Sequence, residues 1–425
     1  MIPIYDLQEI SMEEILDRTA AESADVSGVV GEVLRTVRAR GDEALLEYEK
    51  RFDQVELDRL LVTPEELEEA RKATDPYFLE TLELAAEHIR AYHSRQVRSS
   101  YVMTEEPGVV LGQKVIPLDR VGIYVPGGTA SYPSSVLMNA IPAQLAGVGE
   151  IVMATPPDRQ GRVAAPILAA AAAAGVTTIV KAGGAQAVAA LAYGTESVPR
   201  VDKIVGPGNL YVATAKRMVY GQVDIDMIAG PSEILVLADG TCNPRHVAAD
   251  LLSQAEHDRL ASAVLLTDSW ELAQAVDREV VRQTGYLERS EIMEESLRDF
   301  GCAIVCDSLE RCVELANEIA PEHLEIMTEE PRALLPLVKN AGAVFLGAYT
   351  PEPLGDYLAG PDHVLPTSGT ARFFSPLSVD SFLKTMSVLE FDRAALAPIA
   401  GEIITLAETE HLTAHANSIR VRMDG

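Results

Sequence analysis

Residues 121–128 read VGIYVPGG, and the same texture returns at EIVMATPP (150–157), TTIVKAGG (177–184) and DKIVGPGN (202–209). In each run a few β-branched or apolar residues give way to glycine or proline. A helical pattern follows each: SSVLMNAIPAQLAGV (134–148), the alanine-rich stretch 164–176, AQAVAALAYG (185–194) and LYVATAKRMVYG (210–221). Short strand, tight loop, helix, repeated four times, predicts βαβ units and a parallel sheet. The loops then fall at the carboxyl ends of the strands, where open α/β sheets bind ligands. SEILVLAD (232–239) is read as a fifth strand closing this block.

Working outward, the next residues alternate again. AADLLSQAEHD (248–258) reads as helix, ASAVLLTDS (261–269) and CAIVCDS (302–308) as strands, SLERCVELANEIA (308–320) as helix, and EHLEIMT (322–328) and GAVFLG (342–347) as strands. A second doubly wound unit is expected, completed by the N-terminal helices. Those helices are EEILDRTAAES (13–23), GVVGEVLRTVRARGDEALLEYEKRF (28–52) and TPEELEEARKATD (63–75), the last opened by Thr63 and Glu66 as a capping box. After Pro376 the chain reads as helical and ends in AGEIITLAETEHLTAHANSIRVR (400–422), a pattern suited to an arm lying on a partner subunit.

Composition narrows the function. The 425 residues, 48% hydrophobic and 23% charged, suit two or three folded units. A net charge of -29 argues against a nucleic-acid partner, which draws on clustered Lys and Arg. The chain carries no apolar run of about 18 residues and opens with no basic segment ahead of an apolar one, so neither a membrane span nor a signal peptide is expected. The four cysteines, Cys242, Cys302, Cys306 and Cys312, show no CxxC spacing and predict reduced thiols in a cytoplasmic protein.

Gly127-Gly128, Gly183-Gly184 and Gly206-Pro207-Gly208 stand where backbone N–H groups at a helix N-terminus could receive a pyrophosphate. None forms G-x-G-x-x-G, and each is also an ordinary way to end a strand. Tyr124, Gln186 and Asn209 flank these loops and could contact a nucleotide, although Asn209 is equally placed to cap a helix.

Five of the eight histidines, His257, His323, His363, His411 and His415, fall in the C-terminal part. Gln254 and His257 share a helix face, Asp356 sits in PLGDYLAGPDHV, and His415 follows His411 by four residues. Mixed nitrogen and oxygen donors suit zinc with an open position. The same pattern also describes hydrogen-bonded surface histidines, and Gln is an unusual ligand. Glu322-His323, between a helix and the strand LEIM, places an acid and a base side by side, able to take a proton from an alcohol and to activate water, or to be a surface dipeptide. Cys302 and Cys306, on one face of a strand, open a thiohemiacetal route, but packing thiols are the preferred reading.

Seven segments together resemble histidinol dehydrogenases: 121–148, 183–209, 229–239, 250–258 (DLLSQAEHD), 320–326 (APEHLEI), 342–367 (GAVFLGAYTPEPLGDYLAGPDHVLPT) and 408–422 (ETEHLTAHANSIRVR). The resemblance implies NAD-dependent oxidation of L-histidinol to L-histidine through the aldehyde, with one zinc per subunit. It implies Gln254, His257, Asp356 and His415 as zinc ligands, with His415 given by the partner of a homodimer through the C-terminal arm. Tyr124, Gln186 and Asn209 correspond to NAD contacts. Ser232, Gln254, His257, Glu322, His323, Asp356, Glu410 and His415 correspond to substrate contacts, with His363 in the same stretch. Glu322 and His323 correspond to the catalytic acid and base. The fold implied is α/β, two incomplete Rossmann-like doubly wound domains with N- and C-terminal helical arm segments. The expected division is residues 118–232 for NAD, 23–117 with 233–379 for substrate and zinc, and 1–22 with 380–425 as arms. Asp362, before His363, stands where the family often has Asn.

Overall fold

The computed structural model describes residues 2–11, 25–127, 132–228 and 230–424. The helix expected at 13–23 and Gly128 of the first glycine loop lie outside those residues.

The four predicted βαβ units form one five-stranded parallel sheet. Its order is Thr178–Lys181, Glu150–Thr155, Arg120–Tyr124, Lys203–Val205, Asp224–Ile225. The first strand in sequence is therefore central, and succession reverses between Arg120–Tyr124 and Lys203–Val205. At such a switch point the loops after the two strands diverge and leave a crevice. Helices Pro133–Ala146 and Ala165–Ala173 share one apolar core of this sheet, and Gly184–Tyr193 and Leu210–Val219 share the other.

SEILVLAD does not close this sheet. Glu233–Ala238 is an inner strand of the second sheet, paired in parallel with Ser262–Thr267 and His323–Met327, and its six residues are all buried. The exposed edge of the first sheet is instead finished by the two-residue strand Asp224–Ile225. The second sheet runs Ile4–Asp6, Gly301–Val305, Ser262–Thr267, Glu233–Ala238, His323–Met327, Ala343–Leu346, all parallel.

Three further expectations are corrected. Residues 4–6, read as helical arm, are an edge strand along Ala303–Val305. The helices of residues 27–93 pack on the first sheet rather than completing the second: Val30, Leu34 and Leu45 share a core with helix Gly184–Tyr193, and Leu82 and Ile89 one with helix Pro133–Ala146. Leu383–Phe391, read as helical, is a strand antiparallel to Val109–Pro117, which also pairs with Tyr101–Met103. Its alternation of Leu383, Thr385, Ser387 and Leu389 with Lys384, Met386, Val388 and Glu390 carries no helical stripe, and eight of its nine residues are exposed. The capping box is present: Thr63 Oγ1 accepts from Glu66 N–H at 3.2 Å and Glu66 Oε2 from Thr63 N–H at 2.8 Å. The C-terminal segment expected to be helical is a pair of helices, Ala400–Thr409 and Thr413–Met423. Among the described residues no helix is long and apolar enough to cross a membrane.

Candidate active site

Helix Leu309–Ile319 ends on Ala320, whose φ of 54° turns the chain, and Pro321 cannot continue the helix. Glu322 and His323 follow at once, His323 being the first residue of an inner strand of the second sheet. The pair thus lies at the amino edge of that sheet, the end opposite to the one the switch-point rule favours. A single residue of the neighbouring strand holds both side chains. Glu233 N–H donates to Glu322 Oε2 at 2.8 Å, and Glu233 C=O lies 2.9 Å from His323 Nδ1. A carbonyl can only accept, so the proton sits on Nδ1 and Nε2 keeps its lone pair. His323 Nε2 is buried and makes no hydrogen bond. Burial pushes the imidazole down to about 4, so it is neutral at physiological pH. Burial raises the Glu322 carboxyl well above its ordinary range, against the opposing bond from Glu233 N–H, so once ionised it is a strong base.

A cavity of about 510 Å³ opens beside this pair, and His323, Phe345, Asp356 and His363 are among its walls. His363 Nδ1 is 3.6 Å from Asp356 Oδ1, and its Nε2 is 3.3 Å from Ser135 Oγ on helix Pro133–Ala146 of the first unit. Both units therefore meet at the cavity wall.

Of the four residues expected as zinc ligands, the single chain brings three together. Gln254 and His257 lie at the end of helix Pro244–Ala255, with Gln254 Nε2 and His257 Nδ1 2.8 Å apart. Asp356 comes from helix Glu352–Tyr357, which also delivers Glu352. Potential ligand atoms of His257, Glu352 and Asp356 all lie within 4.8 Å of one another. Gln254 is wholly buried and its Oε1 has no donor, so an acceptor is left facing this cluster. Nitrogen and oxygen donors with uncompensated carboxyls fit a divalent cation such as zinc. His415 and Glu410 are exposed on the C-terminal helices and do not join this cluster within one chain; His411, at φ 60°, marks the turn between those helices. Ser232 stays half-buried next to Glu233, its C=O accepting from Ser262 N–H at 3.0 Å.

Three carboxyls at the site had not been singled out: Asp250, Glu325 and Glu352. Glu325 follows His323 by two, so both point to one face of the strand. Glu325 Oε1 accepts from Glu352 N–H at 2.7 Å, fixing the first turn of the helix that carries Asp356. Desolvation, reinforced by neighbouring carboxyls, pushes Glu325 and Glu352 up to about 9, and desolvation pushes Asp250 up to about 6. Helical spacing was the available signal: Asp250 precedes Gln254 by four, and Glu352 precedes Asp356 by four.

At the first sheet, Tyr124 OH accepts from Gly184 N–H at 3.1 Å, and burial lifts this phenol to about 12. Gly184 has φ 58° and opens helix Gly184–Tyr193. Gly206 has φ 107°, and a Cβ there would lie 2.2 Å from Tyr124 O, so only glycine brings these two loops together. The Gly206 peptide is clamped from below: its N–H donates to Asp226 Oδ2 at 2.8 Å, its C=O accepts from Lys216 Nζ at 2.9 Å, and Lys216 and Asp226 form a buried ion pair. Asn209 caps helix Leu210–Val219, its Oδ1 accepting from Tyr211 and Val212 N–H. Gln186 Nε2 donates to Glu49 Oε1 at 3.0 Å, drawing in a residue from an N-terminal region whose sequence pointed to no function. None of the four cysteines is in a disulfide, and none is among the residues lining the cavity beside His323.

Known proteins match this chain along nearly its whole length. The family description "Histidinol dehydrogenase" matches residues 16–423. The chain is 56% identical over 410 residues to a histidinol dehydrogenase of Clostridium acetobutylicum, covering 96% of this chain and 95% of that one. It is 52% identical over 419 residues to one of Bacillus subtilis, covering 99% and 97%. The crystal structure of histidinol dehydrogenase from Elizabethkingia anophelis superposes with a TM-score of 0.95 at 37% identity, covering 99% of this chain and 98% of that one. A chain matched along nearly its whole length in sequence and in structure belongs to the histidinol dehydrogenase family.

Proposed function

We propose that the protein oxidises L-histidinol to L-histidine in two NAD-linked steps, as a homodimer whose C-terminal arm completes the partner's site. The observation that carries the reading is His323: a buried imidazole with its proton tied to Glu233 C=O and a bare Nε2, beside the Gln254, His257, Glu352 and Asp356 cluster. Residues 118–232 are assigned to the dinucleotide, with Tyr124, Gln186 and Asn209 as its contacts, and residues 233–379 to metal and substrate.

Zinc, when bound by Gln254, His257, Asp356 and the partner subunit's His415, orients the substrate and offsets negative charge in the pocket. The nicotinamide, when bound, accepts a hydride in each oxidation. His323 Nε2 takes the hydroxyl proton as the carbinol C–H bond gives up its hydride, leaving the aldehyde. Glu322, ionised, removes a proton from water as the oxygen adds to the aldehyde carbon, and protonated His323 returns its proton to the carbonyl oxygen, giving the hydrate. His323, having released its first proton, takes one from the hydrate as the second hydride departs, and the carboxylic acid results. Ser232, Glu410, His363 and the metal ligands hold the amino alcohol through both steps, and the enclosed cavity limits loss of the aldehyde.

Purified protein supplied with L-histidinol and NAD should form two NADH per substrate consumed, and a zinc chelator should abolish turnover, with recovery on adding zinc. One NADH per substrate, or turnover indifferent to chelation, refutes the reading.

A further inference from the structure

Glu233 meets Glu322 and His323 only through its peptide, yet its side chain is buried and reaches a third segment of the site. Its Oε1 accepts from Ser368 N–H at 3.0 Å. Ser368 has φ 56°, a left-handed conformation that a residue with a Cβ seldom holds unaided, and Gly369 follows at φ 71°. One residue earlier, the buried Thr367 accepts through Oγ1 from Gly230 N–H at 2.6 Å. A Cβ on Gly230 would lie 2.3 Å from Ser368 Oγ, so a glycine is needed for the segment 230–233 and the turn 367–369 to come this close. Two hydrogen bonds, one running each way, therefore tie the turn to the segment that leads into strand Glu233–Ala238.

The turn ends a loop that walls the reaction cavity. His363 and Leu365 belong to this loop and line the same cavity as His323. Leu365 also packs where the acid–base pair begins: a Cβ on Gly342 would meet Leu365 Cβ at 3.2 Å and Glu322 O at 2.5 Å. Glu233 thus grips three segments at once, Glu322 through its N–H, His323 through its C=O and the His363 loop through its side chain. The first two bonds fix where the acid and the base point. The third fixes where the loop stands relative to them.

We propose that the side chain of Glu233 is a positioning residue for the reaction: by holding Ser368 N–H it seats the loop 363–368 against Glu322 and His323, so that substrate and base meet at one spacing. The inference rests on the acid–base roles proposed above and adds to them a group that acts through other residues. It acts by its hydrogen bond and not by its charge, because Ser368 N–H needs an acceptor and nothing more. A displacement of about 1 Å at a reacting centre costs on the order of a hundredfold in rate. The residues assigned to zinc are carried by other segments, so the loss falls on kcat rather than on binding.

The test compares Glu233→Ala, Glu233→Gln and His323→Asn with wild type on the zinc-loaded enzyme, by kcat, KM for L-histidinol and for NAD, zinc content and melting temperature. Glu233→Ala should lose about a hundredfold in kcat, with zinc content unchanged and both KM values within about fivefold of wild type. Glu233→Gln, whose amide oxygen accepts from the same N–H, should keep kcat within about fivefold. A merely structural role would lower the melting temperature and leave kcat of the folded enzyme intact, so a folded Glu233→Ala with kcat within about fivefold of wild type overturns the proposal. Glu233→Gln as impaired as Glu233→Ala also overturns it, because the charge and not the hydrogen bond would then matter. Should Glu233→Ala fail to fold, Glu233→Asp, which keeps the charge and draws the acceptor back by one carbon, is judged by the same limits. Full turnover in His323→Asn removes the acid–base reading, and this inference with it. An inactive His323→Asn beside an unimpaired Glu233→Ala overturns this inference alone.

Discussion

Replacing Glu325 with Gln should stabilise the metal-free protein, although the residue is almost wholly buried at the centre of the site. Its Oε1 accepts from Glu352 N–H and its Oε2 has no framework donor, facing the Asp250 carboxyl, so one proton must sit between the two acids. Glu325 is raised from an ordinary 4.5 to about 9, so the folded chain keeps a proton that the unfolded chain releases. Keeping it at pH 7 costs about 3 kcal/mol, at 1.4 kcal/mol per pH unit above the unfolded value. The sign follows directly: a raised folded value means the folded state binds more protons between about pH 4.5 and 9, so its contribution to stability falls as pH rises through that window. Gln needs no proton, keeps the acceptor for Glu352 N–H and offers an N–H to Asp250. Chelated Glu325→Gln should therefore unfold several degrees above chelated wild type at pH 7, followed by differential scanning calorimetry. The gap should widen by about 1.4 kcal/mol per pH unit between pH 6 and 8.5. A variant less stable than wild type, or a gap flat across that range, refutes the argument that the acid is held protonated.

His323→Asn should remove turnover by at least a thousandfold while zinc content per subunit stays at the wild-type level; loss of metal along with activity would make His323 a ligand rather than a base. Cys302→Ala and Cys306→Ala should each leave kcat within about twofold, and an inactive but folded variant of either would revive a thiohemiacetal route. Asp226→Asn strands the buried Lys216 ammonium under the Gly206 loop and should cost about 3 kcal/mol in denaturant unfolding; a loss under 1 kcal/mol would mean that Lys216 is not held as a charge. Asp362→Asn should raise the melting temperature by the equivalent of about 1 kcal/mol. The Asp362 carboxyl is buried and pushed well above its ordinary range, with His93 Nε2, also unpartnered, 3.9 Å away, and an amide N–H can serve that nitrogen without a charge. A fall in melting temperature would show a charged His93–Asp362 pair.

The first sheet was legible because each strand, loop and helix of residues 121–221 is contiguous and carries its own punctuation, and the loops after Arg120–Tyr124 and Lys203–Val205 land at the reversal of strand order, while Gly183–Gly184 follows an edge strand. SEILVLAD was misplaced because an all-buried strand reads alike in any parallel sheet, and its neighbours, Ser262–Thr267 and His323–Met327, are set by pairing at a distance. The strand Leu383–Phe391 escaped notice for a related reason: nothing local marks it, and it exists because Val109–Pro117 offers nine paired residues. At the site, Glu322 and His323 could be found as a dipeptide, but what fixes the two side chains for the roles proposed is Glu233, eighty-nine residues away in the hydrogen bond to Glu322, acting through its backbone. A residue used for its N–H and C=O leaves no trace in side-chain chemistry.

The buried carboxyls explain why the site is built from a Gln. Glu322, Glu325 and Glu352 are all raised by desolvation and by neighbouring carboxyls, among them Glu233, Asp250 and Asp356, and no lysine or arginine is among the groups acting on them. Such a pocket, closed over protons when metal-free, gains a counter-charge when a divalent ion arrives and must release protons to receive it. A fourth acidic ligand in place of Gln254 would add another proton to be displaced. In the proposed zinc site the neutral amide, wholly buried with its oxygen unpartnered, would supply a donor atom to the ion without adding to the repulsion among these carboxyls.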